Sequence, residues 1–157
     1  RIKYYIIGDG QERQNLVKLV EEMKLTGNVV FLGKLPHREA MKYMADAHIF
    51  SLPSWQEGFG VVYIEAMAHG IPVIGVKGEG IEDVIVHGEN GFLVPPYDVD
   101  ELTNTLDFLI KNPMKAKIIG ERGKNTVLKE YKWSKNAEKT LTLYKALLED
   151  CHFDKKI

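Results

Sequence analysis

The sequence predicts an α/β chain, a parallel sheet with helices on both faces. Three observations predict it. Short apolar runs alternate with stretches of helical periodicity from one end of the chain to the other. At 157 residues, 45% apolar and 27% charged, the chain suits one domain with a substantial core and has the composition of a globular protein. Glycines gather where several of the runs end, as they do in turns between strand and helix.

Tyr4 to Ile7 is the first expected strand. Gln11 to Leu25 follows as an amphipathic helix, with Leu16, Leu19, Val20 and Met23 at helical spacing. Val29 to Leu32 is the next strand. Pro36 opens a helix in which Met41, Tyr43 and Met44 are expected to look inward. Ile49 to Leu52 is a strand and Val61 to His69 a helix, which Gly70 stops and Pro72 keeps from resuming. Val73 to Val76 is a strand, Ile81 to Val86 a short helix, and Phe92 to Val94 the last strand. Asp98 caps a helix with Leu102, Leu106, Leu109 and Ile110 on one face. Met114 to Glu130 and Ser134 to Glu149 complete the helices, with Asn112-Pro113 before the first and Tyr131 and Trp133 before the second. Residues 1–157 read as one domain, of which 134–157 are the last helix and a frayed tail.

The bulk properties exclude several classes. A net charge of −1 gives no global basic field for nucleic acid or an anionic membrane, so any anion site must be local. The only cysteine, Cys151, has no internal partner, which fits a reducing, cytoplasmic setting. Neither a membrane-spanning run nor a signal-peptide pattern is read in these residues. His37, His48, His69, His87 and His152 lack metal-ligand spacing. Arg1 is the first residue and a strand follows almost at once, so the chain is expected to be a piece of something longer.

In a parallel α/β sheet, ligands bind beyond the carboxyl ends of the strands. Three glycine-bearing loops lie there. Gly8-Asp9-Gly10 lets backbone approach a ligand, or is simply a turn between strand and helix. The stretch Glu57-Gly-Phe-Gly60 leads into a helix whose orphan N–H groups and dipole suit an anion. Glu57 would be repelled by a diphosphate, so it either faces hydroxyls or serves the helix dipole. Glu65 sits mid-helix among apolar neighbours and needs a partner or an opening to solvent. The third loop, Gly78-Glu79-Gly80, is acidic and fits sugar hydroxyls or a surface turn equally. Two carboxylates beside free N–H groups suit a ligand with hydroxyls at both ends and phosphates between, such as a nucleotide sugar. A glycosidase pair is disfavoured, since nothing makes Glu57 and Glu65 face each other across a bond.

Taken together and in order, Ile7-Gly-Asp-Gly10, Val30-Phe-Leu-Gly33, Ala45-Asp-Ala47, Leu52-Pro-Ser54, Glu57-Gly-Phe-Gly60, Glu65-Ala-Met-Ala68, Gly70-Ile-Pro-Val73 and Gly88-Glu-Asn-Gly91 form a specific set. On these motifs the chain resembles the C-terminal, donor-binding domain of group 1 glycosyltransferases, which are retaining enzymes of the two-domain GT-B fold. The resemblance runs from about Tyr5 to about Lys111 and more loosely through the final helices.

It implies a Rossmann-like three-layer sandwich, the C-terminal half of GT-B. It also implies roles. Glu65 matches the glutamate that holds ribose hydroxyls. Glu57 matches the one on the transferred sugar, where the chemistry occurs, though not as a nucleophile. Gly58, Phe59, Gly60 and Val61 match the stretch touching sugar and diphosphate. Gly8 and Gly10 match a glycine loop lining the cleft, and Gly33 and Leu35 lie where the base is received. The donor would be a nucleotide-diphosphate sugar, with UDP the first choice, and no metal or other cofactor is expected.

Two departures matter. The family often has Gly-Gly-Ile-Pro-Glu where this chain has Glu79-Gly-Ile-Glu-Asp83. The basic residues that usually neutralise the diphosphate would lie before Arg1, as would the acceptor-binding domain and any membrane contact. The isolated chain is therefore expected to be inactive, and the parent to act in surface-glycan or polysaccharide synthesis. A nucleotide-sugar-binding module without transfer activity and a nucleotide-sugar epimerase are the competing readings.

Overall fold

A computed structural model describes residues 2–55 and 58–153. It is an α/β chain that divides into two compact units at the boundary between Asp46 and Ala47. The first unit contains β1 (Tyr4–Ile7), α1 (Arg13–Glu22), β2 (Val29–Gly33) and α2 (His37–Ala45). The second contains β3 (Phe50–Ser51), α3 (Val61–Ala68), β4 (Val73–Val76), a 3₁₀ turn (Gly80–Asp83), β5 (Phe92–Val94), α4 (Val99–Lys111), α5 (Pro113–Glu130) and α6 (Trp133–Phe153). Among the described residues every strand pairing is parallel, and the strands form two separate sheets, β1-β2 and β3-β4-β5.

In the first unit Tyr4, Tyr5 and Ile6 lie opposite Val29, Val30 and Phe31. The register then slips, so that Ile7 faces Gly33. Polar bonds fasten the start of this ladder: Lys3 Nζ donates to the Gly27 carbonyl at 2.7 Å and Asn28 Nδ2 to that of Ile2 at 2.8 Å. Apolar cover is thin, for α1 has no buried side chain and Met44 is the only buried residue of α2. Tyr43, expected to look inward, is exposed, with its ring 5.5 Å from that of Tyr5. Its position explains this. Tyr43 lies two residues from Met41 and one from Met44, and such neighbours do not share a helix face.

The second unit is built around β4, whose four residues are all buried. Phe50 and Ser51 of β3 lie opposite Val73 and Ile74, while Ile74, Gly75 and Val76 lie opposite Phe92, Leu93 and Val94 of β5. Ile74, Val76, Phe92 and Val94 pack with Leu109 of α4 and with Ala116 and Ile119 of α5. Each of the Val, Leu, Ile and Phe side chains contributes about 1.5–3 kcal/mol on full burial. On Gly75's side of the sheet stand Ile81, Tyr63 and Ile85.

Local signals act as expected here. The Asp98 carboxylate accepts from the Glu101 N–H at 2.9 Å and caps α4, and Pro113 sits in the first turn of α5. Gly70, at φ 77°, ends α3, with its N–H donating to the Met67 carbonyl. The helix expected over Ile81 to Val86 is shortened to the 3₁₀ turn. There Asn90 Oδ1 accepts from the Val86 N–H at 2.8 Å and Asn90 Nδ2 donates to the Val84 carbonyl at 3.1 Å. This side chain, 7% exposed, folds the chain back before a helix can extend. The Gly88-Glu-Asn-Gly91 motif is thus a structural clasp. Among the described residues, no helix is long and apolar enough to cross a membrane.

Candidate functional site

The expected site residues fall on both units. In the first, Gly8 and Gly10 follow β1, and the Gly8 N–H donates to the carbonyl of Gly33, at the end of β2. Open space stands where a side chain on Gly8, Gly10 or Gly33 would lie. Leu35 is half-buried between β2 and α2. All four residues lie at or just beyond the carboxyl ends of parallel strands, where α/β sheets receive ligands.

In the second unit the chain leaves β3 through Pro53, Ser54 and Trp55, and Gly58, Phe59 and Gly60 lead into α3. Glu57, the first of the two expected carboxylates, lies outside the described residues. Gly60 is the N-cap of α3 at φ 69°, ψ 60°, a left-handed conformation that glycine adopts without steric cost. Having no side chain, it leaves the first N–H groups of α3 uncovered by its own cap, an arrangement that favours an anion. Val61 is exposed, and Glu65 is half-buried one turn further along the same face. A carboxylate so placed accepts hydrogen bonds from hydroxyls more readily than it tolerates phosphate.

Neighbouring segments fix this entry loop. The Phe59 ring lies 5.9 Å from that of Tyr131, at the end of α5. Tyr131 has its hydroxyl pushed above the ordinary tyrosine range by burial, then by the negative charges of Asp83 and Glu130. Gly80 approaches so closely that a Cβ built on it would stand 2.0 Å from the Gly58 carbonyl oxygen. The third loop therefore packs backbone to backbone against the second. Its acidic character is partly internal, since Glu82 Oε2 accepts from the Gly78 N–H at 2.6 Å. Sequence reading missed both contacts, because neither Tyr131 nor Gly80 is near Gly58 or Phe59 along the chain.

A second concave feature lies beside the entry loop. Pro53, Ser54 and Trp55 after β3, Val76 of β4, Val94 of β5 and Pro95 to Val99 beyond it line a crevice of about 160 Å³. The Trp55 and Tyr97 rings stand 4.8 Å apart, tilted by 46°.

Comparison with known proteins places this geometry. Residues 1–126 match the family model described as Glycosyl transferases group 1. The N-acetyl-alpha-D-glucosaminyl L-malate synthase of Bacillus anthracis is 32% identical over 94% of this chain and 38% of its own length. Anabaena HepE, solved in complex with UDP-glucose, superimposes with a TM-score of 0.79 at 26% identity, over 91% of this chain and 41% of that one. The solved C-terminal domain of a group 1 family glycosyl transferase from Francisella tularensis gives a TM-score of 0.77 at 28% identity, over 83% of this chain and 70% of that one. The chain spans about a third of the length of the curated relatives it matches. Its parallel α/β architecture is that of GT-B glycosyltransferases. The chain belongs to the group 1 glycosyl transferases.

Proposed function

Proceeding from that membership, we propose that the chain is the donor-binding part of a retaining glycosyltransferase, acting in glycan synthesis with a nucleotide-diphosphate sugar as donor. The uncapped, glycine-led start of α3 beyond the carboxyl end of β3, with Glu65 one turn along the same face, carries the reading. In it, the N–H groups after Gly60 receive the diphosphate, Phe59 and Val61 flank it, and Glu65 accepts from the ribose hydroxyls. Within the first unit, taken by itself, Gly8, Gly10, Gly33 and Leu35 are read as ligand-contact residues, and Glu57 is read as the contact of the transferred sugar. The complex of Anabaena HepE with UDP-glucose, at 26% identity, supports a UDP-sugar as first choice.

Departure of the nucleotide diphosphate would be assisted by helix N–H groups and by cationic side chains rather than by a metal. No protein nucleophile is assigned. Acceptor binding and closure against water belong to the proposed partner domain, so this chain alone is expected to turn over negligibly. A cytoplasmic location goes with a nucleotide-sugar donor.

Calorimetric titration with UDP, GDP, ADP and their sugars tests the reading. The expected result is selective binding of one diphosphate series, weakened about tenfold in Glu65→Ala, the scale of one or two lost hydrogen bonds. Binding that is indifferent to the base and unchanged by the substitution would remove Glu65 from the site.

A further inference from the structure

The crevice lined by the touching Trp55 and Tyr97 rings carries a role that the nucleotide site does not absorb. Its two rings come from chain segments far apart in sequence, one after β3 and one after β5. Both are solvent-facing, Trp55 52% and Tyr97 74% exposed, and Val99 beside them is 71% exposed. Exposed apolar side chains gathered at a concave surface, rather than scattered singly, are the arrangement that ligand sites use. Tyr97 also has φ 61°, so a bulky side chain occupies a backbone region that disfavours it. Glycine would suit that turn better. The ring that Tyr97 brings against Trp55 is the visible return for the strain.

The lining limits what fits. Prolines 53, 95 and 96 and valines 76, 94 and 99 make the walls apolar, and Ser54 and Asp98 supply the polar atoms of the rim. Asp98, with Asp100 and Glu101 just beyond it, makes that rim acidic, so a phosphate or carboxylate is repelled. Among the described residues the lining of the crevice holds no lysine or arginine. At about 160 Å³ it is smaller than the roughly 300–1,000 Å³ of pockets that enclose a whole drug-sized ligand, so it takes a single ring. A neutral ring with one apolar face for an aromatic platform and hydroxyls at its edge for Ser54 and Asp98 is a pyranose.

We propose that Trp55 and Tyr97 form a carbohydrate subsite that stacks on one pyranose ring of a neutral glycoside. The proposal rests on the glycosyltransferase reading for its biological sense, and its test is separable from that reading. Ligand-observed saturation-transfer NMR on this chain would use methyl gluco-, galacto- and mannopyranosides, with UDP titrated into the same samples. Saturation is expected on the ring C–H protons of one face for at least one glycoside. Affinity should fall about tenfold in Trp55→Ala and in Tyr97→Gly, the scale of one aromatic stacking contact. Tyr97→Gly keeps a residue that tolerates the turn, Tyr97→Phe should bind as the parent does, and UDP affinity should stay unchanged in all three. Glycoside binding that persists with UDP bound and is displaced by acceptor sugars assigns the ring to the acceptor; displacement by UDP-glucose but not by UDP assigns it to the donor.

Absence of glycoside saturation while UDP binds would overturn the subsite and leave the crevice to a protein contact. Equal saturation in Trp55→Ala and Tyr97→Gly would overturn it too. Glycoside binding through these rings without UDP binding would keep the subsite and overturn the donor reading.

Discussion

In the second unit β4 is buried along its whole length, whereas β1 of the first is exposed at three of its four residues. Both are short parallel strands made of apolar residues, and both are followed by glycine-bearing loops. The difference lies in what is laid upon them. Three helical segments, α3, α4 and α5, supply Met67, Leu109 and Ile119 as cover in the second unit. In the first, Leu16, Leu19 and Met23 of α1 remain exposed, and polar bonds at Lys3 and Asn28 fasten the strand pair. How deeply a strand is buried is thus set by the helices packed against it and not by its own apolar residues.

Paired core substitutions give the largest test of this contrast. Leu109→Ala should lower unfolding free energy by about 2–5 kcal/mol, since a side chain 1% exposed leaves a cavity. Leu19→Ala, at a position 49% exposed, should cost no more than about 0.5 kcal/mol. Urea denaturation of the two variants reads the difference, and a comparable loss at Leu19 would break the comparison by showing α1 covered in solution.

Helix capping offers a smaller test. Asp98→Ala should cost about 1 kcal/mol through loss of its bond to the Glu101 N–H. The N-cap of α1, Glu12, makes no side-chain cap bond, so Glu12→Ala should cost only a few tenths of that order. Equal costs by the same denaturation would show that the caps do not distinguish the units.

The smallest effect sits at Tyr131. Burial, then Asp83 and Glu130, raises its folded value above the ordinary one of about 10. The stability it contributes is fully present below that ordinary value, because the folded state then holds the proton at no disadvantage. It is lost as pH rises from there through the raised folded value, where only the unfolded chain has released the proton. Tyr131→Phe should flatten this alkaline decline, as measured by the denaturation midpoint at successive pH values. An identical decline in the variant would assign it to other groups.

Much of this was legible in sequence, and the legible parts share a cause. The spans of β1, β4 and β5 were read correctly, as were the Asp98 cap and the Gly70 stop, because each depends on neighbours within a few residues. Tyr43 departs from the inward position expected of it because it lies only one and two residues from Met44 and Met41, off the face that they share. The Gln11 to Leu25 helix came out as α1, shorter at both ends, with Gly10 and Lys24 in the flanking turns. Group 1 membership was readable because it rests on many short motifs in fixed order. The Trp55–Tyr97 crevice and the Phe59–Tyr131 pair were not readable, since each joins segments that only the three-dimensional path brings together.

The approach of Gly80 to the Gly58 carbonyl separates two kinds of inheritance. The course of the 58–60 loop is pinned, because any side chain at position 80 would displace its backbone. Position 58 itself faces open space, with nothing within 4 Å of where its Cβ would stand. New chemical groups can therefore be added to this loop one at a time while its track stays the same. Descendants of this chain have room for a side chain at position 58 and none at position 80.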